Sequence, residues 1–198
     1  GEEVPMSSIH HLIGMGSDNL VEEMIGHPSE EAADAYSKHY QELMSELRAF
    51  PGAGDLLAEV HNRGAMVALA TSADGEQLEA ILEAINAPDG AIDHIVTKDD
   101  VEHSKPDPDV FKSALEATGL DPTRTLVLGD TVWDVKAADP LGLKVVGVLT
   151  GGISRCHLEE AGAIAVYDDV AQILRDIDRT PIGKLLQPPI GATAKSGS

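Results

Sequence analysis

Leu126-Val127-Leu128-Gly129-Asp130-Thr131-Val132-Trp133-Asp134 is the stretch on which the fold turns. Three apolar residues run into a glycine and an acid, and a second acid follows four positions later. The apolar run, residues 125–128, predicts a buried strand, and the hydroxyl and acids after it predict a helix over 132–141. A short apolar strand passing at once into a helix belongs to a parallel sheet covered on both faces. Asp130 and Asp134, one helical turn apart at a strand tip, suit a hard octahedral cation such as Mg²⁺, with water and phosphate oxygens completing its shell. The same residues serve a plainer purpose equally well, Asp130 as a helix cap and Asp134 as a negative charge at the helix's positive end.

Working outward, strand and helix patterns alternate on either side of this stretch. Strands are predicted at 66–70, 94–97, 145–149 and 163–167, and helices at 53–63, 75–87, 108–118 and 170–177. The expected architecture is therefore α/β, a doubly wound parallel sheet. Ahead of the breaker cluster Phe50-Pro51-Gly52, residues 1–50 read as helical. A helix opening at Ser29-Glu30-Glu31 carries Ala33, Tyr36, Tyr40, Leu43, Met44 and Leu47 at spacings of three and four, which predicts one buried stripe. Two shorter helices precede it, with a hinge or a substrate-facing turn at Gly14-Met15-Gly16. This gives a small helical domain over 1–50 and a core over 51–178. Residues 179–198, rich in Pro, Gly, Ser and Thr, read as a flexible tail.

The chain has 198 residues, 42% of them hydrophobic, and 14 Lys+Arg against 34 Asp+Glu give a formal charge of −20. Such a surface repels nucleic acid and anionic membranes, so neither is expected as a partner. No apolar run approaches the ~20 residues that span a bilayer, and the first residues lack a signal-peptide pattern. A single cysteine, Cys156, precludes an internal disulfide and fits a reducing cytoplasm. The eight histidines show no metal-ligand spacing.

In an open parallel sheet the functional groups gather where strands end. The 66–70 strand ends in Thr71-Ser72, hydroxyls able to hold a phosphate oxygen or simply to cap the next helix. Ser104-Lys105-Pro106-Asp107-Pro108 places a lysine on a proline-stiffened turn, as a point charge for an anion or as a surface residue at a helix start.

Taken in order, each at a strand end, Thr71-Ser72, Lys105 and the Asp130/Asp134 pair resemble the second, third and fourth motifs of the haloacid dehalogenase (HAD) superfamily. The helical block 1–50 resembles the cap of its phosphoglycolate-phosphatase-like branch. The resemblance covers about residues 1–178. It implies a HAD-like Rossmannoid core and an Mg²⁺-dependent phosphohydrolase working through an aspartyl-phosphate. Thr71 or Ser72 would bind phosphoryl oxygens, Lys105 would neutralise charge on phosphate and nucleophile, and Asp130 with Asp134 would hold the Mg²⁺. The first motif, Asp-x-Asp, has no counterpart. Asp18 belongs to a helix start, and Asp107 and Asp109 follow Lys105 rather than a strand. The nucleophile is therefore expected upstream of residue 1, on a central strand lying between those that carry Thr71 and Asp130, and this chain alone is expected to be inactive.

The Asp130/Asp134 spacing favours a metal-dependent phosphatase over a metal-free dehalogenase. Lys38, alone in the helical block, lies in a polar stretch and does not resemble a Schiff-base lysine. A sugar phosphomutase, and a non-enzymatic phosphate and metal binder, stay open. The small cap implies a small phosphorylated metabolite, phosphoglycolate being the family's default.

Overall fold

The computed structural model describes residues 3–73 and 75–187. Three helices lead the chain: α1 (Met6–Leu12), α2 (Ser17–Ile25) and α3 (Glu30–Leu43). Ser29 caps α3 as its sequence suggests, its hydroxyl accepting from the Ala32 N–H at 3.2 Å. The apolar stripe of α3 is a correction to expectation, because this helix has no buried residue. Tyr36 is 37% and Leu43 60% exposed, and Tyr36 stacks instead on Tyr40. Helical spacing of apolar residues shows which face is apolar, and here that face is only partly covered, with Ala33 and Tyr40 half-buried.

Beyond Gly52 the chain alternates. α4 (Ala53–Asn62) leads to β1 (Ala68–Ala70), α5 (Gly75–Ile85), β2 (His94–Val96), α6 (Asp109–Thr118) and β3 (Leu126–Gly129). Then come α7 (Val132–Ala138), β4 (Lys144–Val148), α8 (Arg155–Ala161), β5 (Ala165–Tyr167), α9 (Val170–Arg175) and α10 (Pro181–Leu186). Every strand pair is parallel, as an alternating pattern requires.

The strands form two sheets rather than the one expected. β1 pairs with β2, Ala68 opposite His94, while β3, β4 and β5 form a second ladder in that order. Within it Leu126 lies opposite Lys144, and Val146 opposite Ala165. Among the described residues no ladder joins β1 to β3. The break falls at the place the sequence reading reserved for a further central strand. Its mark is Leu128, a mid-strand leucine left 39% exposed.

Packing bridges what hydrogen bonding does not. One cluster crosses the break, joining Val96 of β2, Val110 and Phe111 of α6, Val127 of β3, Val135 of α7 and Val145 of β4. Each such side chain, fully buried, stabilises the fold by about 1.5–3 kcal/mol. The opposite face of the second sheet is covered by Leu56 of α4 and Ile173 of α9 against Val146 and Val148.

Residues 180–187, part of the stretch that composition reads as a flexible tail, are instead built into the fold as α10 and its flanking residues. Thr180 is fully buried, its hydroxyl accepting from Gly183 N–H at 3.1 Å and donating to the Ile177 carbonyl at 2.7 Å. Ile182 and Leu186 of α10 pack on the Leu56/Ile173 cluster. A threonine cap followed by proline at the first helical position is a helix start, and a reading of bulk composition overlooks it. Residues 188–198 lie outside the described residues.

Candidate active site

The tip of β3 is built around Asp134. Thr131 caps α7, and each half of a capping box is made: Thr131 Oγ1 accepts from Asp134 N–H at 3.4 Å, and Asp134 Oδ2 accepts from Thr131 N–H at 3.0 Å. The same oxygen also accepts from the Thr131 hydroxyl at 2.8 Å and from Asp130 N–H at 3.2 Å. Its other oxygen, Oδ1, accepts from Lys105 Nζ at 2.9 Å. Asp134 is 6% exposed, and these donors balance the burial of its charge. Gly129 is needed here, because a Cβ on it would lie 2.6 Å from Asp134 Cβ.

Asp130 is the carboxylate left available. Burial, joined by the neighbouring Asp134 charge, pushes its carboxyl above the ordinary range. Lys105 and the Thr150 hydroxyl pull the other way. The group is therefore half-buried and short of positive charge, an environment that a divalent cation relieves. The donor set therefore fits a hard cation, with the half-buried Asp130 as the available oxygen donor and Asp134 behind it. Asp134 would reach a cation directly only by sharing the oxygen that Lys105 now holds.

Lys105 reaches Asp134 from the loop between β2 and α6, in which the Lys105–Pro106 peptide bond is cis. Its side chain is 17% exposed. Thr71 and Ser72 follow β1, on the far side of the sheet break. The Thr71 hydroxyl accepts from Ala73 N–H at 3.1 Å, serving its own turn. Ser72 lines an open cavity of about 270 Å³ with Lys98, Asp99, Val101, Glu102, His103 and Ser104. The structure thus brings Lys105, Asp130 and Asp134 together, and places Ser72 in a cavity beside Ser104, the neighbour of Lys105.

The helical segment sits on these same loops. Asn19 Nδ2 donates to the carbonyls of Ser104 and Lys105, each at 3.4 Å. His10 Nε2 lies 3.0 Å from the Gly152 carbonyl oxygen, and the Trp133 indole N–H donates to the His11 carbonyl at 3.2 Å.

The family model described as haloacid dehalogenase-like hydrolase matches residues 1–148. This chain belongs to that family. The protein suppressor of quenching 1, chloroplastic, of Arabidopsis thaliana is 29% identical over 182 residues, covering 87% of this chain and 17% of that protein. A phosphoglycolate phosphatase of Rhodospirillum rubrum is 33% identical over 124 residues, 63% of this chain and 51% of that enzyme. The chain thus spans about a sixth of the first relative's length and about half of the second's. Among solved structures, a hydrolase from Pseudomonas syringae superposes with a TM-score of 0.80 at 33% identity, over 89% of this chain and 84% of that one. CbbY from Rhodobacter sphaeroides, solved with xylulose-(1,5)bisphosphate, gives 0.70 at 25%, over 87% and 81%. These likenesses agree with the α/β fold and family that the motifs imply.

Sequence reading missed several contributors to the site. Thr150 meets Asp130, and a Cβ on Gly151 would lie 2.6 Å from the Asp130 carbonyl oxygen. Both follow β4, and the rule that functional groups sit at strand ends pointed to them directly. His103 was set aside for want of ligand spacing, yet it meets Asp107 and Asp109 with one ligating atom from each within 4.8 Å of the others. His103 Nδ1 lies 3.1 Å from Asp109 Oδ2, an exposed pair at the start of α6. The hydrogen bond to Asp109 raises the His103 pKa, and the same bond lowers that of Asp109.

Proposed function

We propose that the intact protein is an Mg²⁺-dependent phosphohydrolase that acts on a small phosphorylated metabolite through an aspartyl-phosphate. The observation that carries this reading is the Lys105–Asp134 ion pair at 2.9 Å beside a half-buried Asp130. That cluster is the positive-and-acidic constellation that phosphoryl transfer needs for alignment and charge stabilisation. Relatives support the class: one is a phosphoglycolate phosphatase, and others are pyrophosphatases of Bacillus cereus.

Asp130, supported by Asp134, would hold the Mg²⁺, which would supply electrostatic stabilisation of phosphate oxygens. Lys105 is placed to neutralise charge on the phosphate and to hold Asp134 in orientation through their ion pair. Thr71 or Ser72 would bind phosphoryl oxygens from the β1 side. The attacking carboxylate would come from a strand preceding residue 1 and lying between β1 and β3, a place supported by the break in the sheet and by exposed Leu128. By itself the 198-residue chain would then lack hydrolytic activity. Helices α1–α3 would act as a cap that excludes water. A cytoplasmic location is consistent with the one cysteine, which is exposed and free. Among the described residues no helix is long and apolar enough to cross a membrane.

The test is Mg²⁺-dependent phosphate release from an aryl phosphate and from phosphoglycolate by the parent protein carrying its upstream segment. Asp130→Asn and Lys105→Ala should each abolish it. Release that survives both substitutions together rejects the assignment.

A further inference from the structure

We infer that Trp133 is a positioning residue coupling the seating of α1 on the core to the state of the Asp130–Asp134 loop. The inference rests on the metal assignment proposed above. Trp133 stands in the first turn of α7, between the two carboxylates in sequence, and its indole N–H donates to the His11 carbonyl at the end of α1. Just beyond, a Cβ on Gly14 would lie 2.4 Å from Thr131 Cγ2 and 2.6 Å from Thr131 Oγ1, so the turn after α1 presses on the cap residue of the same loop. At the other end of the contact, His10 meets the Gly152 carbonyl at 3.0 Å. The adjoining Gly151 touches Asp130, since a Cβ there would come within 2.9 Å of the Asp130 Cγ. Three contacts from residues 10–14 thus end on the metal loop or on the glycine pair that abuts it, while the His11 ring meets His157 of α8.

α1 depends on these contacts. It has seven residues, none buried, and Met6 is 78% exposed. A helix so short has no stability of its own in water, and a segment with few buried contacts opens locally at little cost. In the seated arrangement Asp130 and Asp134 also lie close enough for their charges to repel, and a cation relieves that repulsion. A cation should therefore favour the loop geometry that seats α1. By reciprocity, losing the α1 contacts should weaken the cation by the same factor.

The experiment compares amide hydrogen exchange over residues 6–12, with and without Mg²⁺, and Mg²⁺ affinity by calorimetry. It uses the unaltered protein, Trp133→Phe, which deletes the donor and keeps a ring, and His10→Ala, an exposed change on the same helix. In the unaltered protein Mg²⁺ should slow exchange in α1. Each variant should weaken Mg²⁺ binding by about 2- to 10-fold, the loss of one hydrogen bond, and Trp133→Phe should erase the Mg²⁺-dependent slowing. A merely structural tryptophan would leave Mg²⁺ affinity unmoved. Mg²⁺ binding with no change in α1 exchange overturns the coupling, as does unchanged affinity in both variants. Absence of Mg²⁺ binding by the unaltered protein instead rejects the metal assignment, and the coupling with it.

Discussion

Lys105 Nζ and Asp134 Oδ1 lie 2.9 Å apart, with side chains 17% and 9% exposed, and they join the loop after β2 to the loop after β3. These loops belong to two sheets that no ladder connects among the described residues, so the pair is a polar tie across the break. The tie is asymmetric. Asp134 keeps three other donors on Oδ2, whereas Lys105 Nζ has this carboxylate as its ion-pair partner.

That asymmetry predicts unequal costs. Asp134→Ala strands a mostly buried ammonium and removes the capping box, and should cost about 3–5 kcal/mol. Lys105→Met leaves a carboxylate that is still solvated by three donors and should cost less, about 1–3 kcal/mol. The double variant should fall short of the sum by about 0.5–3 kcal/mol, the signature of coupled partners. Urea unfolding measures all three, and strict additivity would contradict a tie.

Gly129 and Gly142 separate two reasons for needing glycine. Gly142 has φ +69° and open space where a Cβ would go, so Gly142→Ala should cost about 1–2 kcal/mol of backbone strain and leave metal binding alone. Gly129→Ala should cost about 1–3 kcal/mol by overpacking and also weaken Mg²⁺ binding, because its methyl meets Asp134. Calorimetric titration of both variants decides the point. Equal Mg²⁺ affinity in the two would mean that Asp134 does not support the cation.

Asp93 holds the entry to β1, its Oδ2 accepting from Val67 N–H at 2.7 Å and lying 3.3 Å from His61 Nδ1. The Val67 hydrogen bond, with help from His61, lowers its pKa below the ordinary carboxylate value. A depressed carboxylate stabilises the fold above its unfolded pKa of about 3.9, and that stability is lost as pH falls through the folded value. The melting temperature of the unaltered protein should therefore exceed that of Asp93→Asn at pH 6, with the gap closing as pH falls below about 4. A gap constant down to pH 3 would assign the difference to geometry and not to charge.

The alternating core was legible because buried parallel strands such as Val145–Val148 and amphipathic helices such as α6 carry period signals that packing confirms. Lys105, Asp130 and Asp134 could be singled out as candidates as well, since each lies in or beside the segment between a strand and the next helix. What stayed hidden depends on neighbours distant in sequence. Nothing in Gly129-Asp130 announces that both oxygens of Asp134 are engaged, one of them by a lysine 29 positions earlier. Nor does the apolar spacing of α3 state what covers its stripe. Thr150 and α10 were within reach: the first ends a strand, and the second begins with Thr180-Pro181.

The packing of α10 gives the last prediction. Ile182 and Leu186 are half-buried against Leu56, Val146 and Ile173, and Thr180 is wholly buried with both of its hydroxyl hydrogen bonds made. Partial burial of two aliphatic side chains and one satisfied cap together amount to about 2–4 kcal/mol. A chain ending at Arg179 should therefore be less stable by that amount than one ending at Gln187, with a steeper loss if the Arg63–Asp178 ion pair nearby is loosened too. Urea unfolding of the two truncations supplies the comparison. Identical midpoints would show that residues 180–187 add no stability, and that the tail begins where composition first placed it.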